Sequence, residues 1–199
     1  MMHRTVVAGF VAACLIALVA VPMGAQRESG DGPRYAADGK LVRPADYREW
    51  RFLTSGLGMT YGPAAAPAGS PQRFDNVFVN PSAYRHFMQT GRWPERAIFI
   101  LEIRAAATEG SINRAGQFQT GVVAIEAAVK DDRFPDKWAY FDFGGGSSLR
   151  DEAEPLPRSA RCYACHSQNT AVEQTFVQFY PTLLEVAKRM GTIKPSYVP

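Results

Sequence analysis

The sequence predicts a mainly β, α+β domain in which an antiparallel sheet is accompanied by a few helices. Three observations predict it. Four segments are dominated by aromatic and β-branched residues: Phe74–Val79, Ala97–Arg104, Gln117–Lys130 and Lys137–Phe143. Each is bounded by Gly, Pro, Asn or Asp clusters, and consecutive strands with short connections favour antiparallel pairing. Helix signals, with proline at the first position and glycine just past the end, occur only at Pro81 to Gly91 and Pro181 to Gly191.

Taken in order, the first 25 residues read as a signal peptide. Arg4 supplies a short positive region, Val6 to Val21 carry no charge, and Gly24-Ala25 offer small residues for cleavage before Gln26. Removal is favoured over a retained transmembrane anchor, since the apolar run only approaches the length of a short span. It is also favoured over a lipoprotein cut at Cys14, which would leave the apolar run from Leu15 to Val21 on the mature protein. Residues 26–42, polar with Gly30, Gly32 and Gly39, read as an extended N-terminal arm, and residues 43–199 as one domain. Within that domain a short helix is expected at Asp46 to Phe52 and a loop at 60–73, followed by the first strand. The helix from Pro81 carries Tyr84-Arg85-His86-Phe87. After the last strand, Gly144 to Gly146 and the prolines at 155 and 157 form a loop, and Val172 to Tyr180 and Pro181 to Met190 read as helical.

That loop leads into Cys162-Tyr163-Ala164-Cys165-His166. Cys-x-x-Cys-His is the attachment sequence of a c-type haem. Two thiols three positions apart on one helical turn can reach the two vinyl groups of one porphyrin. The histidine after the second cysteine is then carried under the ring, where its imidazole can ligate iron. A thioredoxin-like pair would sit near the start of a strand-helix-strand unit, and a structural zinc needs a second ligand pair; neither is present. The expected cofactor is therefore one covalent haem c on Cys162 and Cys165, near the C-terminus, with His166 as the iron ligand. Export to the periplasm fits, because this attachment takes place outside the bacterial cytoplasm.

Lys and Arg number 22 and Asp and Glu 19, and the basic residues are scattered, so nucleic acid is not an expected partner. Strands and glycine-rich loops before the motif do not build the four-helix bundle of the helical c′ cytochromes. A motif this close to the C-terminus also differs from the common small electron-transfer cytochromes c.

With these features the chain resembles the cytochrome P-460 family, which includes the β-sheet c′ cytochromes. The residues that carry the resemblance are Asp46-Tyr47-Arg48-Glu49-Trp50, Asn76-Val77-Phe78-Val79-Asn80-Pro81 with Tyr84, and Thr90-Gly91. They continue with Ala124-Ile125-Glu126-Ala127-Ala128-Val129-Lys130-Asp131, Arg133-Phe134, Trp138-Ala139-Tyr140-Phe141, the haem motif and Phe179-Tyr180-Pro181. The resemblance implies a predominantly antiparallel sheet, one covalent haem per chain and a homodimer. It also implies a five-coordinate iron whose open distal side faces the sheet and takes nitric oxide or hydroxylamine.

In the family's catalytic members a lysine preceding a glutamate in a strand is cross-linked to the porphyrin. Here that strand reads Ile98-Phe99-Ile100-Leu101-Glu102, so Leu101 stands in the lysine's place. Alternation puts Leu101 on the haem-facing side with Phe99 and Ile103, and Glu102 on the other face. The family's distal carboxylate, a proposed proton relay, corresponds to Glu126. Without the resemblance Glu126 reads as a glutamate on the wet face of a strand; alternation gives it Val122, Ala124 and Ala128 as companions. Tyr140, Phe141 and Phe143 read as packing around the haem. His86 reads as a surface residue rather than a second iron ligand, and Met59, Met88 and Met190 are candidate thioether ligands, although a lone methionine is usually core filler.

Three functions follow from this sequence. The first is binding of nitric oxide or a related small nitrogen ligand, favoured by Leu101. The second is oxidation of hydroxylamine with electrons passed to a partner cytochrome. The third is simple electron transfer, disfavoured by the lack of an obvious axial methionine.

Overall fold

A computed structural model describes residues 30–61 and 70–198, so the expected signal peptide and Cys14 lie outside the described residues. The strands are β1 (Arg34–Tyr35), β2 (Leu41–Val42), β3 (Arg51–Leu57), β4 (Arg73–Val79), β5 (Ile98–Ala107), β6 (Phe118–Lys130), β7 (Trp138–Asp142) and β8 (Glu152–Ala153). The helices are α1 (Pro81–Thr90), α2 (Arg161–Asn169) and α3 (Pro181–Met190). Strands β3-β4-β5-β6-β7 form a five-stranded antiparallel sheet in sequence order, and β1-β2-β8 form a small second sheet. The mainly β, α+β class is as the sequence predicts.

Two apolar cores lie on the two faces of the large sheet. On one face Val79, Phe99 and Trp138 pack with Phe87 of α1, Trp93, and Leu183 and Val186 of α3. On the other, Ile98, Ile100, Ile125, Ala127 and Phe141 pack with Leu41, Tyr47 and Trp50. Glu102 points into this second side, as alternation predicts. It is 3% exposed and accepts hydrogen bonds from Tyr47, from Arg48 at 2.8 Å and from Arg104 at 2.5 Å. Burial alone would raise its pKa, but these donors outweigh burial and hold its carboxyl below the usual range.

Within the segment read as an extended arm, the described residues fold back instead: β1 and β2 pair antiparallel about a turn at Ala36–Lys40, and β2 is tied to β8. Leu41 is fully buried, and the Asp31 carboxylate accepts the Ser82 N–H at 2.6 Å at the start of α1. Pro81 opens α1 and Gly91 closes it at φ 69°, as expected. Three further expectations are corrected. The helix over Asp46 to Phe52 is one 3₁₀ turn, Tyr47–Glu49, followed by β3. The sequence hides β3 because it is an edge strand with one neighbour, contains Ser55 and Gly56, and is bulged between Phe52 and Thr54. The helix over Val172 to Tyr180 is a turn bridging Val172 and Thr175, followed by a 3₁₀ turn at Val177–Phe179. Glu173 interrupts it with φ 49°.

The third correction concerns Val122. Ile103 pairs with Ala124 but Arg104 pairs with Val122, so Val123 is an extra residue in β6. The bulge reverses the alternation, and Val122 packs in the core opposite to Glu126. Gly145 lies against this bulge. A methyl group there would overlap the Val123 carbonyl and come within 2.8 Å of the Ala124 Cα, both backbone atoms that cannot swing away. Gly145→Ala is therefore expected to destabilise the fold by about 2–3 kcal/mol, read as a lower urea midpoint with an unchanged slope.

Candidate functional site

The helix α2 puts Cys162 and Cys165 one turn apart, with His166 following, and leaves Ala164 to solvent. All three side chains line one cavity of about 310 Å³, within the size range of cofactor and ligand sites. The two thiols are half-buried and free. Burial, with the nearby Glu126 carboxyl second, pushes the Cys162 thiol up, so it is held protonated.

The sheet supplies the facing wall. Thr54 pairs with Val77, Val77 with Leu101, Leu101 with Glu126, and Glu126 with Asp142, so one row crosses all five strands. One register step away, Val79, Phe99, Ala128 and Tyr140 form the next row on the same face. Phe99, Leu101 and Glu126, each singled out from sequence, therefore meet Cys162, Cys165 and His166 around the same cavity. Tyr140 lines it as well, whereas Phe141, at the edge of the cavity, and Phe143 both pack in the core on the opposite face, because Phe141 alternates with Tyr140 along β7.

His166 is oriented by its surroundings. Its Nδ1 lies 2.8 Å from the Gln174 carbonyl oxygen. A carbonyl can only accept, so Nδ1 carries the proton and Nε2 keeps a free lone pair. The rings of Tyr140 and Phe176 flank the imidazole at 4.5 and 4.6 Å between centroids, and the Tyr140 hydroxyl donates to Gln174 Oε1 at 2.9 Å. Burial lowers the pKa of His166, against the opposing effect of the Gln174 bond, and keeps the ring neutral. An imidazole with its lone pair exposed, two free thiols on one helical turn and a largely apolar wall are the donor set that a haem c requires.

Glu126 lies in the cavity without a hydrogen-bond partner among the described residues. Burial, then Asp142, then Asp75, raise its carboxyl above the usual range. Asp75 was not foreseen. It lines the same cavity from β4, raised by burial against the opposing charge of Arg73. Its position was readable, because Asp75 alternates with Val77 and Val79 in a strand whose other face carries Phe74, Asn76 and Phe78. Gln174 was not readable, since its contribution to His166 is a backbone carbonyl.

The other candidates separate. His86 is exposed on α1, Met88 packs with the α1–α3 core and Met190 is exposed. Met59 lines the cavity but folds back over Gly56, where a side chain would displace its sulfur. The Tyr61 hydroxyl is directed at that sulfur at 3.7 Å. Among curated proteins none matches the chain. A family model described as Cytochrome P460 matches residues 44–177, which include the five-stranded sheet and Cys162, Cys165 and His166. With that match over more than half its length, the chain belongs to the cytochrome P460 family and is a c-type cytochrome that binds haem c.

Proposed function

We propose that the protein is an exported, periplasmic monohaem cytochrome whose distal site binds nitric oxide or a related small nitrogen ligand. Cys162 and Cys165 carry the single haem as thioethers, and His166 ligates through Nε2. When bound, haem c supplies an iron centre that can take a small ligand and exchange one electron. A homodimer and a partner cytochrome as electron acceptor belong to the same reading.

The observation that carries it is the wall facing α2. Val77, Phe99, Leu101 and Ala128 can exclude water but offer no strong ligand to a metal, which favours an open position. Glu126 stands among them as a carboxyl able to hold or release a proton. Visible spectra of the purified protein in both oxidation states, with and without nitric oxide, test the proposal. A five-coordinate spectrum that changes on adding nitric oxide is expected; a six-coordinate spectrum indifferent to it would overturn the reading and favour simple electron transfer.

Oxidation of hydroxylamine is the second reading, favoured by Glu126 and Asp75 in the cavity. Leu101 weighs against it, because an alkyl side chain cannot form the porphyrin bond that the family's lysine makes. The intact mass is expected to equal polypeptide plus one haem, without the hydrogens that a further bond removes. Tandem mass spectrometry that finds a porphyrin-bearing peptide beyond the one holding Cys162 and Cys165 would refute this.

A further inference from the structure

The turn after α2 holds a buried ion pair that the haem-binding reading does not use. Glu173 has φ 49°, a left-handed conformation that a residue with a side chain keeps only when its surroundings hold it there. Its carboxylate accepts from Lys130 Nζ at 2.7 Å and from the Trp93 N–H at 3.2 Å. Lys130 Nζ also donates to the Trp93 carbonyl at 2.7 Å. Both side chains are largely buried, at 18% and 17% exposure for Lys130 and Glu173.

The neighbouring residues are pinned in turn. The Thr170 hydroxyl contacts the Glu173 carbonyl at 2.9 Å, and Trp93 Nε1 donates to Thr175 Oγ1 at 2.8 Å. Between these anchors, Gln174 presents its carbonyl to His166 Nδ1 at 2.8 Å. Were Glu173 to relax to a right-handed backbone, the chain would be redirected at Gln174 and the carbonyl would leave the imidazole. A hydrogen bond to Nδ1 makes an imidazole a stronger donor to a metal at Nε2.

The geometry points to Glu173, with Lys130 as its counter-ion, as a positioning residue for the proximal imidazole: by holding the Gln174 carbonyl on Nδ1 it sets the donor strength of His166 and hence the reduction potential. This rests on His166 being the iron ligand. An ion pair that served only to fasten the turn would contribute to stability and leave the ligand's electronics alone.

The test compares wild-type holoprotein with Glu173→Gln, Glu173→Ala and Lys130→Met. It measures the iron–histidine stretching frequency by resonance Raman spectroscopy of the reduced protein, the midpoint potential and the melting temperature. Glu173→Ala and Lys130→Met are expected to lower the frequency and raise the potential, because a weaker donor stabilises ferric iron less. Glu173→Gln, which keeps an acceptor for Trp93 and Lys130, is expected to stay near wild type. A lower melting temperature in both disruptive variants with frequency and potential unchanged overturns the proposal. If Glu173→Ala does not accumulate, Lys130→Met, which leaves Glu173 in place, is sufficient to support or overturn it by the same two readouts. If wild type itself has no iron–histidine mode, the five-coordinate reading has failed instead, and the midpoint potentials of the variants alone support or overturn the proposal.

Discussion

Replacing Cys162 and Cys165 together by serine is expected to abolish covalent haem, taking it from one per chain to none in the acidified organic solvent that extracts free haem. Serine hydroxyls do not add to the vinyl groups, and no other described cysteine lines the cavity. Each single replacement is expected to leave one thioether and a haem that resists extraction but carries a shifted reduced spectrum. His166→Ala should keep the thioethers and lose the nitrogen ligand, because the flanking Tyr140 and Phe176 rings provide no replacement. Unchanged haem retention in the double serine variant would remove the basis for the entire site.

The second large effect concerns Glu126 and separates binding from turnover. If the protein is chiefly a ligand binder, Glu126→Ala leaves nitric oxide binding largely intact and alters only hydrogen bonding in the pocket. If it oxidises hydroxylamine, the same change lowers the chemical step by about 10²- to 10⁴-fold, the usual weight of a positioned acid–base group. Stopped-flow kinetics with both ligands on wild type and variant distinguishes the two. Binding with little turnover is expected; rapid, Glu126-dependent oxidation of hydroxylamine would show that the missing lysine bond is dispensable here.

The same carboxyl has a consequence for stability. Burial raises its pKa in the folded protein above that of the unfolded chain. Below the ordinary carboxylate range both states hold the proton and the contribution is fully present. As pH rises through the raised value it is lost, because the unfolded chain gives up the proton more readily. Glu126→Gln is therefore expected to flatten the fall in melting temperature from acid to neutral pH, measured by thermal denaturation across that range. An identical pH profile for the variant would show that Glu126 ionises as freely in the fold as in water.

Much of the site was legible because its signals are local. Cys162, Cys165 and His166 need only the spacing of one helical turn, and the Pro81 and Gly91 signals of α1 need only the backbone preferences of those two residues. Four strands of the large sheet were readable from aromatic and β-branched runs, and the alternation in β5 correctly separated Leu101 from Glu102. Alternation failed where the count itself changed: the extra Val123 moved Val122 to the opposite face, and an unpaired edge with Ser55 and Gly56 concealed β3. The turn at 172–175 reads as helix in the sequence because the residues that hold Glu173, Gln174 and Thr175 in another conformation, Trp93, Lys130 and Tyr140, are distant along the chain.

The sequence by itself determined the mainly β, α+β class and the Cys-x-x-Cys-His spacing at 162–166, carried by residue identity at short spacing, and its resemblance to the family set Leu101 against the lysine. Only the tertiary structure decided that Leu101 and Glu126 share a row of the sheet that faces α2, because register is set by pairing between strands. It also brought Asp75 into the cavity and placed the Gln174 carbonyl on His166 Nδ1. A backbone acceptor has the same chemistry at every residue, so only the folded chain could decide which one the imidazole meets.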